Sequence, residues 1–341
     1  MPFGETMILI VGGAGFIGSH TAKAVRQNGM VPVVLDSLVT GNRWAVKFGP
    51  FVEGQMGERR LVTRVIRQYR IHSAILFAAH AYVGESIHAP SKYYRNNISQ
   101  SLELLEALLE GGVRSLVFSS SCSIYGAQVR IPISEEAPKY PLSPYGETKL
   151  FLENVLQWYE RTYGLHSVCL RYFNASGADP AGELGESHDM ETHLIPLAIR
   201  SVLTGSRLRI FGTNYPTLDG SAVRDYVHVS DLADAHVRAL RYLAEGGKGT
   251  QFNCGTGIGH SVWQVLRKIE EVSGKCVAFE SCPRRQGDAP ALIADSCRIR
   301  ESLGWEPKYS SLDAIVQTAW RWYTEFSGRS ETSCSVPRLG R

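Results

Sequence analysis

The sequence predicts an α/β protein: a Rossmann-type doubly wound parallel sheet with a smaller C-terminal α/β substrate lobe. Two observations carry this prediction. Short apolar runs alternate with amphipathic helical stretches through the first half, and a glycine-rich turn joins the first run to the first helix. The 341 residues are 44% hydrophobic and 20% charged, a composition sufficient for a large core. It excludes a disordered chain and a disulfide-stapled miniprotein.

The first half contains strands and helices in regular alternation. Apolar, strand-like runs cover residues 7–11, 31–36, 74–77, 116–119 and 166–171. Helical patterns lie between them, at residues 19–28, 57–70, 98–110 and 147–163. Such alternation predicts a parallel sheet with helices on both faces.

The pattern changes after about Phe173. Segments rich in Gly, Pro and Asp appear, and helical patterns recur at residues 194–204, 229–245, 261–273 and 311–326. We expect a first domain over residues 1–173 and a lobe over residues 174–327, some segments of which return to the first domain. Residues 328–341, rich in Ser and Arg, are expected to form a flexible tail.

Charge and cysteine usage exclude several classes of protein. The net charge is +3 and the basic residues are scattered, so no nucleic-acid partner is expected. No apolar run approaches the roughly 18 residues of a membrane span. The seven cysteines form no C-x-x-C pair, which predicts reduced thiols in a cytoplasmic protein.

A glycine fingerprint follows the first predicted strand. Gly12, Gly15 and Gly18 form a G-x-x-G-x-x-G pattern around Phe16 and Ile17, where the first helix begins. Glycine there permits a tight turn and lets the backbone approach a pyrophosphate. The helix N-terminus offers free N–H groups to the phosphates. The motif in this context predicts a dinucleotide site.

Asp36 ends the second predicted strand, 18 residues after Gly18. A carboxylate at that place accepts hydrogen bonds from the adenosine ribose and repels a 2′-phosphate, so NAD is favoured over NADP. Arg43 lies nearby and is the side chain that could meet such a phosphate instead.

Three polar residues form a candidate catalytic set. Tyr145 and Lys149 are four residues apart at the start of a predicted helix and share one face. We expect the lysine ammonium and an oxidised nicotinamide to favour the Tyr145 phenolate, which makes this residue a general base. Ser121 follows the strand at residues 116–119, at the edge where open α/β sheets bind ligands.

Two other constellations are weaker. His188 and His193 flank Asp189 and Glu191, but the ligand spacing of a zinc site is missing, so we expect a solvated loop and no metal. His228 and Asp231 with a serine suggest a hydrolase triad, but no G-x-S-x-G elbow accompanies them.

Taken with these motifs, later segments carry a family resemblance. The chain resembles the extended short-chain dehydrogenase/reductase family over about residues 7–325 and, more narrowly, is similar to the UDP-glucose 4-epimerases. The supporting segments are Tyr82-Val83-Gly84-Glu85-Ser86, Arg171-Tyr172-Phe173-Asn174, Phe211-Gly212, Asp219-Gly220, Arg224-Asp225-Tyr226-Val227-His228-Val229 and Arg284-Arg285-Gln286-Gly287-Asp288.

The resemblance implies a redox-neutral reaction that interconverts UDP-glucose and UDP-galactose through a 4-keto sugar. It implies NAD as cofactor, a UDP-sugar substrate and a cytoplasmic homodimer, with a NAD-binding first domain and a UDP-sugar-binding lobe. Tyr145 looks like the base, Ser121 its hydrogen-bonding partner and Lys149 the ribose clamp. The implied cofactor-binding residues are Gly12, Gly15, Phe16, Ile17, Gly18, Asp36, Gln55, Phe77, Ala78, Ala79, Asn96, Ser119, Tyr145, Lys149 and Tyr172. The implied substrate-binding residues are Ser121, Tyr145, Asn174, His193, Leu194, Phe211, Arg224, Arg285 and Asp288.

The chain departs from the family pattern at four positions. Ala81 replaces a lysine, Gln55 an adenine-contacting aspartate and His193 a UDP-contacting asparagine, and Leu292 stands at the sugar-pocket gate. Three alternatives stay open. A UDP-xylose/UDP-arabinose 4-epimerase shares the mechanism; a 4,6-dehydratase carries Asp-Glu where this chain has Cys122-Ser123; a non-catalytic NAD-binding regulator tends to lose the tyrosine or lysine.

Overall fold

A seven-stranded parallel sheet organises the molecule. The structure, a computed structural model, describes residues 6–128, 130–285 and 288–326. The strands of the main sheet are β1 (Met7–Val11), β2 (Val31–Asp36), β3 (Phe51–Glu53), β4 (Ser73–Leu76), β5 (Ser115–Ser121), β6 (His166–Tyr172) and β10 (Thr250–Cys254). Their spatial order is β10-β6-β5-β4-β1-β2-β3, and each neighbouring pair is parallel.

Helices cover both faces of the sheet because its strands are apolar on both sides. Their bounds are α1 (Phe16–Gln27), α2 (Arg59–Tyr69), α3 (Val83–His88), α4 (Pro90–Tyr93), α5 (Gln100–Glu110), α6 (Pro144–Tyr163) and, from the second half, α8 (Val229–Ala244). Leu104 of α5 and Leu152 of α6 belong to the core on one face. Val25 of α1 and Leu240 of α8 belong to the core on the other. The predicted doubly wound parallel sheet is confirmed.

The second half of the chain contributes to two places. Strand β10 pairs with β6, and α8 packs against α1. Most of the remaining elements surround a separate apolar core that contains Ile199, Ile269 and Ile315. The remaining elements are β7 (Asn174–Ser176), α7 (Leu194–Thr204), β8 (Leu208–Phe211), β9 (Val223–His228), β11 (Gly259–Ser261), α9 (Val262–Ser273), β12 (Phe279–Cys282), β13 (Ala291–Leu292), α10 (Cys297–Leu303) and α11 (Leu312–Arg321). Of these, α10 packs against β10 and α8 and places Ile299 in the core of the main sheet.

The sheet order places a topological switch point beside β1. The chain passes from β1 to β2 and β3 on one side, and β4, β5 and β6 follow on the other side. A crevice therefore opens at the carboxyl ends of β1 and β4, where open α/β sheets bind ligands. Within the described residues, no helix combines the length and apolarity required to cross a bilayer. The tail predicted at residues 328–341 lies outside the described residues.

Candidate functional site

A cavity of about 530 Å³ lies at the carboxyl ends of the central strands. Its walls come from the turn after β1, the end of β2, the segment after β4 and the start of α6. Every residue that the sequence predicts to bind the cofactor lines this cavity: Gly12, Gly15, Phe16, Ile17, Gly18, Asp36, Gln55, Phe77, Ala78, Ala79, Asn96, Ser119, Tyr145, Lys149 and Tyr172. Residues distant in the sequence thus surround one volume.

Close backbone contacts explain the glycine fingerprint. Gly12 has a φ of +84°, and a Cβ there would lie 2.5 Å from the backbone nitrogen of Ala78. A Cβ on Gly18 would lie 2.2 Å from the carbonyl oxygen of Gly12. Gly15 is the N-cap of α1 and makes no side-chain capping bond. The first N–H groups of the helix therefore point into a cradle that glycine keeps open, which fits a dinucleotide pyrophosphate.

The carboxylate of Asp36 lies at the far end of this cradle. It accepts hydrogen bonds from the backbone N–H of Ala14 at 2.9 Å and of Leu38 at 2.8 Å. Burial raises the pKa of Asp36, and these two backbone bonds oppose the shift. Arg43 is directed elsewhere, since its guanidinium stacks 4.2 Å from the Phe51 ring. Arg43 is not among the residues that line the cavity beside Asp36.

The start of α6 presents Tyr145 and Lys149 to the cavity. The Ser143 hydroxyl accepts a hydrogen bond from the Gly146 N–H at 3.2 Å, and Pro144 occupies the first helical turn. These two features begin the helix immediately before Tyr145. Lys149 follows one turn later and donates to the Ser119 carbonyl at 2.6 Å. Its ammonium lies 5.8 Å from the centre of the Tyr145 ring.

Burial dominates the protonation of both groups. It raises the pKa of Tyr145 to about 12, against an opposing hydrogen bond from Ser121. It lowers the pKa of Lys149 to about 7, against the attraction of Glu153. The expectation that Lys149 favours the Tyr145 phenolate is therefore not met by the protein alone. Desolvation outweighs the charge of a lysine that is itself partly neutral.

Ser121 ends β5 beside Tyr145. Its hydroxyl contacts the Ser123 hydroxyl and accepts from the Ser123 N–H, both at 3.1 Å. The side chain is buried, and its hydrogen bond acts on the pKa of Tyr145. The strand end thus brings Ser121 to the predicted position next to the tyrosine hydroxyl.

A second group of predicted residues gathers in the lobe. The Arg224 guanidinium pairs with the Asp288 carboxylate, and the Arg285 guanidinium lies 4.0 Å from the Phe211 ring centre. Asn174 begins β7 and is paired with Tyr226 of β9. These groups do not line the cavity that contains Tyr145. They form a cationic and aromatic surface supplied by β8, β9 and the segment before β13.

The segment before α7 differs from the expectation. His193 is the N-cap of α7, and Leu194 is the first residue of that helix. The Nδ1 of His193 contacts the Glu186 carboxylate, and His188 lies between Glu186 and Glu191. Burial lowers the pKa of His193, but the two carboxylates outweigh it and raise the pKa to about 9. The prediction of a solvated loop is wrong for the two glutamates, whose side chains are 4% and 7% exposed, whereas the His193 side chain is 48% exposed.

Some cavity residues were not predicted from the sequence. The structure adds Met56, Tyr82, Lys92 and Arg95 to the wall, among others. Tyr172, which was predicted, makes a short hydrogen bond with the buried imidazole of His236 on α8. The sequence around His236 does not indicate that this residue contacts Tyr172, which lies far away in the chain. Only the return of α8 to the main sheet brings it there.

Comparisons with known proteins agree with this geometry. Residues 8–255 match the model of the NAD dependent epimerase/dehydratase family. A UDP-glucose 4-epimerase from Azospirillum brasilense is 48% identical over 318 residues, which cover 92% of this chain and 91% of that protein. A UDP-glucose 4-epimerase from Halalkalibacterium halodurans is 45% identical over 93% of this chain and 96% of its own length.

Solved structures give the same result. The crystal structure of UDP-glucose 4-epimerase from Brucella ovis in complex with NAD has a TM-score of 0.90 and 47% identity, and the match covers 92% of this chain and 97% of that one. A UDP-glucose-4-epimerase from Stenotrophomonas maltophila, with bound NAD and formylated UDP-arabinopyranose, has a TM-score of 0.90 and 36% identity, covering 93% and 98%. The chain therefore belongs to the NAD-dependent epimerase/dehydratase family and, within it, to the group of the UDP-glucose 4-epimerases.

Proposed function

We propose that this chain is an NAD-dependent UDP-hexose 4-epimerase that interconverts UDP-glucose and UDP-galactose. The observation that carries the proposal is the position of Tyr145 and Lys149 in the wall of the cavity formed by the glycine turn. The glycine turn would hold the dinucleotide, and Tyr145 and Lys149 would face its reactive ring in the same cavity.

The residues of the cradle fit NAD. Gly12 and Gly18 leave room for the pyrophosphate, and Asp36 offers its carboxylate to the adenosine ribose. The NAD of this family, when bound, supplies oxidised nicotinamide that takes up and returns a hydride at C4 of the sugar. Lys149 would hold the nicotinamide ribose and is itself positioned by the Ser119 carbonyl.

Tyr145 moves the proton. Its oxygen accepts the proton of the sugar 4-hydroxyl as C4 loses its hydride, and it returns that proton to O4 when C4 regains the hydride on its other face. Because burial holds the pKa of Tyr145 near 12 in the protein alone, the deprotonated form requires added positive charge in the cavity. Ser121 donates to the same sugar oxygen and orients it.

The lobe residues hold the nucleotide. Arg224 and Arg285 bind the UDP phosphates by charge-assisted hydrogen bonds, and Asp288 and Asn174 contact the uridine ribose and the sugar. Phe211, His193 and Leu194 complete the UDP-sugar site. This attachment is remote from C4, so the keto sugar turns in the cavity without leaving the enzyme.

Replacement of the base tests the proposal. We expect Tyr145→Phe to retain NAD but to lower the turnover of UDP-galactose by about 10²-fold or more, because the phenyl ring cannot carry a proton. Product separation by chromatography measures the turnover, and absorbance of the denatured protein measures retained NAD. Tyr140→Phe, an exposed tyrosine, is the control. Epimerisation by Tyr145→Phe at the rate of the unchanged protein contradicts the assignment.

The same assay discriminates the substrates. UDP-glucose, UDP-N-acetylglucosamine and UDP-xylose are compared at equal concentration, together with their 4-epimers. The neighbour from Stenotrophomonas maltophila was crystallised with formylated UDP-arabinopyranose, which favours testing the pentose. Conversion of the pentose pair alone replaces the hexose assignment, whereas elimination of water from the sugar indicates a dehydratase.

Three further assignments complete the proposal. The molecule acts as a homodimer through the exposed side of α6, where Phe151 and Trp158 lie; Leu104, Leu105 and Leu108 of α5 are buried in the core of the same chain. We place it in the cytoplasm, because the six described cysteines are all free thiols. Residues 1–173 form the NAD-binding domain, and residues 174–327 form the UDP-sugar-binding lobe. Some segments of the second range, such as β10, return to the main sheet.

A further inference from the structure

We infer that the segment between β7 and α7 carries a binding site for a divalent transition-metal ion, with Zn²⁺ as the ion that its donors fit best. The His–Glu cluster consists of Glu186, His188, Glu191 and His193. One ligand atom from each of these four residues lies within 4.8 Å of the other three. His193 is also assigned to the UDP-sugar site above, and His188 and His193 line the dinucleotide cavity; the metal ion is additional to those two ligands.

Three separations within the cluster are close to the edges of a small coordination polyhedron. Four ligands at about 2.0–2.1 Å from zinc in a tetrahedron are separated by about 3.3 Å from one another. Nδ1 of His188 lies 3.4 Å from Glu186 Oε1 and 3.4 Å from Glu191 Oε2. Nδ1 of His193 lies 3.8 Å from Glu191 Oε1 and closer still to Glu186 Oε1. An ion at the common centre requires the His193–Glu186 contact to open, whereas the other donors need little rearrangement.

One donor of the cluster has no hydrogen-bond partner. Nδ1 of His188 is buried from solvent, and although two carboxylate oxygens lie near it, it makes no hydrogen bond with either. A buried imidazole nitrogen in this state costs free energy unless another partner is supplied. An ion between the carboxylates and this nitrogen satisfies it.

The charge of the cluster also favours a cation. The Glu186 side chain is 4% exposed and that of Glu191 is 7% exposed, so two carboxylates lie together out of water. The imidazolium of His193, in contact with Glu186, offsets one of these two charges, and a divalent ion that displaces its proton offsets both. Two imidazole nitrogens beside two carboxylates favour a transition metal over Mg²⁺ or Ca²⁺, which bind oxygen ligands almost exclusively.

The backbone that carries the donors is held in place by neighbouring elements. The Glu186 carbonyl accepts hydrogen bonds from the Trp322 indole N–H at 3.1 Å and the Tyr323 hydroxyl at 3.0 Å. Asn42 donates its side-chain N–H to the Ser187 carbonyl at 2.9 Å. Glu191 Oε1 accepts from the His193 N–H at 2.8 Å, next to the start of α7. These bonds restrain the segment, so little ordering is required when an ion binds.

The location links the ion to the cavity. His188 and His193 line the cavity that contains Tyr145, and the His188 ring lies edge-on to Tyr82, another wall residue. A bound ion therefore fastens this wall to α7. We expect its role to be the positioning of the wall, since Tyr145 and Lys149 supply the proton chemistry.

Metal binding to the full-length chain without a histidine tag tests the inference. The holoenzyme is dialysed against ZnCl₂, and bound metal is measured by mass spectrometry. We expect saturable binding of one Zn²⁺ per chain, unaffected by an excess of Mg²⁺. His188→Asn and Glu191→Gln each lower the affinity at least ~10-fold. His166→Asn, which removes the imidazole of the partly exposed His166–Glu160 pair, is the matched control and leaves zinc binding unchanged.

Two further readouts keep the result interpretable. Circular dichroism and retained NAD show whether each variant is folded. Zinc raises the melting temperature of the unchanged protein and has no such effect on folded Glu191→Gln. Co²⁺ replacing zinc gives the intense visible bands of a tetrahedral site. Equal zinc binding by the unchanged protein and both variants overturns the inference and assigns the metal to exposed thiols such as Cys276 and Cys297. Absence of saturable binding overturns it as well.

Discussion

Tyr145 and Lys149 lie one helical turn apart, and burial shifts their pKa values in opposite directions. Both side chains are buried where α6 begins, and burial disfavours whichever form is charged. The phenol therefore keeps its proton, whereas the ammonium loses part of its own. The two side chains can therefore exchange protons with a ligand. Burying them lowers the free energy of unfolding of the protein.

The destabilisation caused by burying Lys149 depends on pH. Burial lowers the pKa of Lys149 from its ordinary value of 10.5 to about 7. Between these two values the unfolded chain binds a proton at this side chain that the folded chain lacks, so the stability contributed here rises with pH. Below about pH 7 both states are protonated and the destabilisation is complete.

We expect Lys149→Met to raise the melting temperature of the cofactor-free chain at pH 7 by at least ~2 °C, with a gain that shrinks toward pH 10. Differential scanning fluorimetry across this range measures the effect. Lys275→Met, at an exposed lysine, is the control and shows no pH-dependent difference. A gain that stays constant with pH, or a loss of stability at pH 7, contradicts the role assigned to desolvation.

At the scale of elements, the turn between β1 and α1 depends on backbone proximity. Gly12 and Gly29 both have a positive φ, of +84° and +78°, but their surroundings differ. A Cβ at Gly12 meets the Ala78 backbone at 2.5 Å, whereas a Cβ at Gly29 meets no described atom within 4 Å. Comparing substitutions at the two positions therefore distinguishes the strain of a positive φ from the steric clash with the Ala78 backbone.

We expect Gly29→Ala to lower the free energy of unfolding by about 1–2 kcal/mol and to leave NAD binding unchanged. Gly12→Ala has the same backbone penalty and also forces the turn away from β4. It therefore destabilises the protein more and weakens NAD binding at least ~10-fold. Urea unfolding and equilibrium titration with NAD measure the two quantities. Equal stability and equal NAD affinity of the two variants would contradict a role for the close contact between Gly12 and the Ala78 backbone.

A buried ion pair joins α6 to β6 beneath the same site. The Arg171 guanidinium donates to Glu153 at 2.6 and 3.0 Å, and both side chains are 2% exposed. The Ser120 hydroxyl donates to the same carboxylate at 2.5 Å. Because Glu153 lies one turn after Lys149, this pair also holds the helix face that carries the catalytic set.

We expect Glu153→Gln to lower the free energy of unfolding by about 3–5 kcal/mol, because a buried guanidinium loses its counter-charge. Urea denaturation measures the change. Glu136→Gln removes the carboxylate of the exposed Arg298 pair and is the control, with a nearly unchanged midpoint. A small effect of Glu153→Gln indicates that water or another group neutralises Arg171.

For the whole molecule, an exposed apolar face on α6 supports the proposed dimer. Phe151 is 47% exposed and Trp158 is 64% exposed, and their seven-residue spacing puts them on one side of the helix. We expect the unchanged protein to be a dimer by analytical ultracentrifugation and Phe151→Glu/Trp158→Glu to be a folded monomer. Leu218→Glu, at an exposed leucine in the lobe, leaves the dimer intact. A monomeric unchanged protein refutes this interface.

The sequence predicted most where the signal is local. The limits of β1 and β2 agree with the expected runs, since an apolar run bounded by glycine or a turn is a short-range pattern. Helix α1 begins at Phe16, earlier than the expected residue 19, because Gly15 serves as its N-cap. Helix α6 likewise begins at Pro144 because Ser143 caps it. Capping depends on backbone geometry, which residue periodicity does not show.

Sequence by itself determined the fold class, the dinucleotide turn and the Tyr145–Lys149 pair, because each depends on residues within one or two turns or strands. Tertiary structure alone decided the rest. It brought His236 against Tyr172, gathered Glu186 with the two histidines, and set the pKa values of Tyr145 and Lys149. Burial and electrostatic interaction depend on distances in space, and residues far apart in the chain carry no local mark of such distances.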